Sequence, residues 1–122
     1  MTDTEVNKII AEYMGYDTTD LTQVKNYRSL QWYRNGSTIP EFTTSKYTYS
    51  LDALVPVWEK LEVEPSFTFL CDEWQASLII TVFSIDYISG YKVFEFCHDA
   101  DTIFQAAAHA TAKAILELKS DG

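Results

Sequence analysis

Cysteine, basic residues and long apolar runs are all scarce in this chain, and each shortage excludes something. Only two cysteines, Cys71 and Cys97, occur in 122 residues. That is too few for a disulfide framework, so both are expected as reduced thiols packed like small hydrophobes in strands. No apolar run approaches the ~18 residues that cross a bilayer, and no basic-then-apolar N-terminus points to export. The expectation is a soluble, cytoplasmic protein without a membrane partner. Nine Lys and Arg face eighteen Asp and Glu, for a net charge of −9. A field of that sign repels phosphate backbones, which disfavours direct nucleic-acid binding. No catalytic or cofactor motif stands out, so the chain is expected to be non-enzymatic and to carry no cofactor.

What is present is apolar and aromatic. With 47% apolar and 15% aromatic residues, residues 1–122 can bury the core of one domain, and general disorder is excluded. The charge is local. Residues 1–50 hold six acids and five bases, whereas 51–101 hold ten acids and two bases.

The clearest element is a helix over 2–14. Thr2 and Glu5 have capping-box spacing, Val6, Ile9, Ile10, Tyr13 and Met14 recur on one face, and Gly15 comes next, where a helix ends. Asn7, Lys8 and Glu12 fall on the opposite, solvated side. Residues 16–49 have weak periodicity and read as irregular or built of short strands. Within them Asn35-Gly36 is a type I′ hairpin signal between Leu30–Arg34 and Ser37–Ile39, with Pro40 limiting the second arm to an edge. Ser50 can cap a second helix over 50–63, whose stripe is Leu51, Leu54, Val55, Trp58 and Leu61, with Pro56 inside it and Pro65 beyond its end.

Three β-rich runs come after it, at about 66–71, 74–85 and 91–97, joined by short connections, which predicts an antiparallel meander. In the middle run Ala76, Leu78, Ile80 and Val82 share one parity and Ile79, Thr81, Phe83 and Ile85 the other. Both faces of that strand are therefore apolar and need cover. A last helix over 101–119, capped by Asp99 or Asp101, presents an alanine-rich stripe that allows close approach. The sum is an α+β fold, a three-layer α/β/α sandwich in which the meander is covered by helices on both faces.

Two segments together resemble a known family. Residues 8–15, Lys-Ile-Ile-Ala-Glu-Tyr-Met-Gly, and residues 47–62, Tyr-Thr-Tyr-Ser-Leu-Asp-Ala-Leu-Val-Pro-Val-Trp-Glu-Lys-Leu-Glu, are similar to the helical motifs of the phage ABA sandwich proteins. The resemblance implies a bacteriophage or prophage origin, the sandwich fold, and tolerance of Pro56, since proline recurs there in the family pattern. It implies no activity and no functional residues.

Candidate chemistry is thin. Cys97-His98-Asp99 juxtaposes a nucleophile, a base and an acid, but neighbours on a strand point to opposite faces, so a buried Cys and a strand-end His is the simpler reading. His98, Asp99 and Asp101 could join Asp72 and Glu73 around a hard cation if the meander turns converge, although acids at turns and caps account for them without a metal. His109, with Gln105 and Lys113 four residues either side, reads as part of an exposed polar face. The carboxylate pairs Glu62 with Glu64 and Glu59 with Glu62 imply no cleft for acid–base work.

Six rings in 23 residues are harder to assign to a core alone. Tyr27, Trp32, Tyr33, Phe42, Tyr47 and Tyr49 are taken as a candidate interaction surface, since Tyr and Trp combine area with a polar tip. The expected function is thus a phage or prophage accessory protein that binds itself, as a homo-oligomer such as a dimer, or a host protein. One alternative is an anti-defence protein whose acidic patch, Glu62, Glu64, Asp72 and Glu73, mimics nucleic acid on a host nuclease or regulator. Another is a small-ligand binder with a pocket between sheet and helices.

Overall fold

The computed structural model describes residues 1–70, 73–82, 90–97 and 102–120. Among these residues it is an α+β fold with three helices and two three-stranded antiparallel sheets. In chain order these are α1 (Asp3–Tyr13), β1 (Leu21–Lys25), β2 (Ser29–Arg34), β3 (Phe42–Ser45), α2 (Leu51–Leu61), β4 (Val63–Leu70), β5 (Glu73–Val82), β6 (Gly90–Cys97) and α3 (Ile103–Ser120).

Local chemistry sets the helix ends. Thr2 Oγ1 accepts the Glu5 N–H at 3.2 Å at the start of α1. At its end Gly15 takes φ +101°, Gly15 N–H bonds Glu12 O and Tyr16 N–H bonds Ala11 O. That pair of bonds is a Schellman motif, which satisfies carbonyls the last turn would leave open. Ser50 caps α2 by accepting the Ala53 N–H. Glu62 then adopts the left-handed conformation, φ 59° and ψ 43°, and turns the chain directly into β4. Because of that turn the strand begins at Val63, three residues earlier than the sequence suggests. Pro65 lies inside it opposite Leu78, which is allowed because β4 is the edge of the β4-β5-β6 sheet and an edge strand can spare one donor.

Residues 16–49 form a second sheet, ordered β1-β2-β3. Asn35-Gly36 does turn the chain, with Ser37 N–H bonding Arg34 O and Gly36 at φ +83°. Asn35 lacks the positive φ that a type I′ turn requires at both central positions. The strands therefore separate after Arg34 and resume only at Phe42, opposite Trp32. Ser37–Ile39, expected as the second arm, belongs to the connection.

The core joins both sheets to the helices. Val6, Ile10, Leu30, Trp32, Leu54, Val57 and Ile115 pack in one cluster with Ala106, Ala107, Ala108, Ala110, Ala112 and Ala114 of α3. Those six alanines are fully buried and, at 100° per residue, cover most of the helix circumference. The small side chains let α3 lie close to β5 and β6 and also to α1 and α2. Its cap is Thr102, whose Oγ1 accepts the Gln105 N–H at 3.2 Å. Asp99 and Asp101, expected to cap it, lie outside the described residues. No helix among the described residues is long and apolar enough to cross a membrane.

Candidate functional site

Three connections meet beside the first turn of α2. The β1–β2 hairpin closes through Tyr27-Arg28, with Asn26 N–H bonding Ser29 O at 2.9 Å. Lys46 N–H donates to Arg28 O at 3.1 Å, and Tyr49 N–H to Lys46 O at 2.9 Å. The hairpin tip is thereby tied to the turn that leads into α2, while α3 brings Phe104 to the same place.

The rings at this junction lie in a row, Tyr27 tilted against Tyr49 and Tyr49 stacked with Phe104. Tyr27 and Tyr49 centroids are 5.0 Å apart, and Tyr49 lies 5.7 Å from Phe104. The Tyr49 hydroxyl donates to the Tyr27 hydroxyl at 2.6 Å, and that bond raises the Tyr49 pKa above its ordinary value. Arg28 lies over Tyr27 at 5.5 Å and Lys46 over Tyr49 at 5.9 Å, contacts worth about 0.5–1 kcal/mol each at exposed sites. Tyr27 nevertheless stays 70% exposed.

Two open clefts flank this turn. One, of about 380 Å³, is lined by Arg28, Tyr49, Ser50, Leu51, Asp52 and Phe104. The other, of about 450 Å³, runs past Tyr16, Tyr47 and Pro56 and shares Ser50 and Asp52 with the first.

The six rings of the expected surface divide. Trp32 is 1% exposed and Tyr47 6%, so both serve the core rather than a partner. The Trp32 indole N–H donates to Thr44 Oγ1 at 3.0 Å. Burial pushes the Tyr47 phenol up to about 12, helped by Tyr16 nearby. Phe42 packs at 5.0 Å from Tyr16 and 5.9 Å from Trp32. Tyr33 is half-buried and donates to Gln31 Oε1 at 2.9 Å. Tyr27 and Tyr49 alone of the six join the row, Tyr27 exposed and Tyr49 half-buried. Phe104, which completes it, sits in α3 at a sequence distance that no local pattern spans.

Strand register divides the proposed acidic patch as well. Glu62 and Glu64 are exposed where β4 begins, with Glu64 opposite Ile79, whereas Glu73 faces Leu70 at the other end of the same hairpin. At ~3.3 Å per residue, Glu64 and Leu70 are about 20 Å apart along the strand. Asp72 lies outside the described residues, as do Cys71, His98, Asp99 and Asp101. Cys97 ends β6 opposite Gln75. Among the described residues no group of three or more His, Cys, Asp or Glu is placed to hold a metal ion.

Two polar residues behave unlike their sequence reading. Asn7, expected in solvent, is fully buried. Its Nδ2 donates to Asp3 O at 2.9 Å and Thr48 Oγ1 at 3.2 Å, and its Oδ1 accepts the Thr48 N–H at 3.3 Å. Asn7 thus anchors the turn that carries Lys46 and Tyr49. His109, expected to be exposed, is 5% exposed, with Nε2 at 2.8 Å from Asp3 Oδ1. Gln105 Nε2 donates to Asp3 Oδ2 at 3.2 Å. Burial alone would raise the Asp3 pKa, but the bonds from His109 and Gln105 outweigh it and hold the carboxyl below its ordinary value.

No family model, curated protein or solved structure matches the chain. The site's chemistry therefore rests on its own geometry.

Proposed function

We propose that this chain is a non-enzymatic accessory protein of phage or prophage origin. It acts in the cytoplasm of a bacterial host by binding a protein, either a second copy or a host protein, through the aromatic row at the α2 N-terminus. The observation that carries the reading is Tyr27, a large ring left 70% exposed while packed at a tilt against Tyr49 and lying under Arg28. Exposed tyrosines of this kind favour interfaces, since they present area with little rotamer entropy to lose. The similarity of residues 8–15 and 47–62 to the phage family supports the origin.

The three-layer α/β/α stacking belongs to the same proposal. Its support is α3, which packs on that sheet, and the Trp74, Ala76, Leu78, Ile80 and Val82 face of β5; the other face of β5 carries Glu73, Gln75, Ser77, Ile79 and Thr81, while Phe83 and Ile85, which would extend it, lie outside the described residues. The mimic of nucleic acid is not carried forward, because Glu62 and Glu64 stand far from Glu73 along the hairpin.

The test is sedimentation velocity together with affinity capture from a bacterial lysate, comparing the wild type with Tyr27→Ala. The reading expects a dimer or a retained protein that weakens in the variant. A monomer that retains nothing, or capture indifferent to Tyr27, counts against it.

A further inference from the structure

The strongest unexplained feature is a pair of like charges. Ser29 pairs with Ser45, and the ladder continues through Lys46 N–H donating to Arg28 O. Arg28 and Lys46 are therefore opposite each other across neighbouring strands. Directly opposed residues share a face with Cβ atoms ~5 Å apart, and like charges in such a pair repel. Neither cation forms an ion pair among the described residues. This doublet stands in a chain of net charge −9, beside the two clefts and the aromatic row. A carboxylate arriving there relieves the repulsion and gains charge-assisted hydrogen bonds.

Two further features select the residue type that accompanies this carboxylate. The clefts meet at Ser50 and Asp52, so a chain crossing from one to the other passes over that rim. Pro56 has no N–H to offer the Asp52 carbonyl four residues before it, which leaves a backbone acceptor near the crossing. The Asp52 carboxylate is exposed there and repels any acid placed beyond the first cleft. The second cleft, lined by Ser45, Ser50 and Asp52 as well as Tyr16, Tyr47 and Pro56, is of mixed polarity and suits an uncharged side chain.

Resting on the protein-binding reading above, we propose that the two clefts hold an extended acidic segment of a protein partner. Its carboxylate sits at Arg28 and Lys46, and an uncharged residue just after or before it sits in the cleft by Tyr16 and Tyr47. Nucleic acid would meet the same two cations, but the overall charge opposes it.

The experiment measures binding of decapeptide pools, each with Glu, Gln or Lys fixed at one position and the rest randomised, alongside an oligothymidylate. The Glu pool should bind roughly tenfold tighter than the Gln pool, the scale of one charge-assisted contact. Arg28→Ala combined with Lys46→Ala should erase that preference. Asp52→Asn should strengthen Glu-pool binding several-fold. Equal binding of the Gln or Lys pool, preference for the oligonucleotide, or no binding to any peptide pool overturns the proposal. Should a captured partner depend on Tyr27 but be indifferent to Arg28 and Lys46, protein binding stands and the acidic segment falls. Should it depend on neither, both fall.

Discussion

Thr111→Val tests whether α2 is held on α3 by a buried hydrogen bond. Trp58 Nε1 donates to Thr111 Oγ1 at 2.8 Å, and that hydroxyl donates in turn to Ala107 O at 2.7 Å. Thr111 is fully buried and Trp58 is 7% exposed, so water cannot readily replace the lost oxygen. Valine has nearly the same shape, so the Trp58 ring can keep its packing against Phe67, 6.1 Å away. The cost is then an indole N–H stranded in the core, about 1–3 kcal/mol, reduced somewhat because the threonine hydroxyl no longer needs desolvating. A net loss of about 1–2 kcal/mol corresponds to roughly 3–10 °C in Tm for a chain of this size. Urea unfolding followed by tryptophan fluorescence measures it. In a Trp58→Phe background no donor remains to strand, so Thr111→Val should there cost little or even stabilise. A double-mutant cycle thus isolates the coupling. An equal loss in both backgrounds, or none in either, would refute the reasoning. The consequence for function is direct: α2 carries Ser50 and Asp52 to the row completed by Phe104 of α3, so looser docking should also weaken partner binding.

Asn7→Leu removes both hydrogen bonds from α1 to Thr48 in the 46–49 turn and should cost about 1–3 kcal/mol; a change within experimental error in urea unfolding would mean the turn is held without them. Asp3 gives an acid-limb prediction. Its folded pKa lies below the ordinary 3.8, so its ionised form adds stability that is complete above that value and fades as pH falls through the folded pKa. The advantage of wild type over Asp3→Asn should therefore shrink between pH 6 and the strongly acid range, and a gap independent of pH would contradict it. Tyr47 should ionise late, at about 12. Ultraviolet titration should lose that late step in Tyr47→Phe, and loss of an ordinary step near 10 instead would show that the ring is not buried.

Much of this structure is legible from local sequence, because the signals involved act within one helix turn or one strand. Thr2, Gly15 and Ser50 mark helix ends by satisfying nearby backbone groups, and the β-rich runs announce the meander by composition and short connections. The start of β4 is missed because Pro65 reads as a stop, although an edge strand tolerates it. The fate of residues 16–49 is missed because strand pairing supplies the stabilisation, and pairing partners are not local. Asn7 and His109 are misread for a related reason. Each lies on a polar helix face, and only the folded chain shows that Thr48 crosses one and Asp3 meets the other.

The sequence by itself determined the α+β composition of elements, the helix caps, the acidic balance and the density of rings before α2, since each depends on residue type and short spacing. Tertiary structure alone decided which rings became core and which remained outside. It also set Arg28 opposite Lys46, brought Phe104 to Tyr49, and separated Glu62 and Glu64 from Glu73. Those relations depend on register and on packing between distant segments, where a shift of one residue would exchange buried and exposed faces.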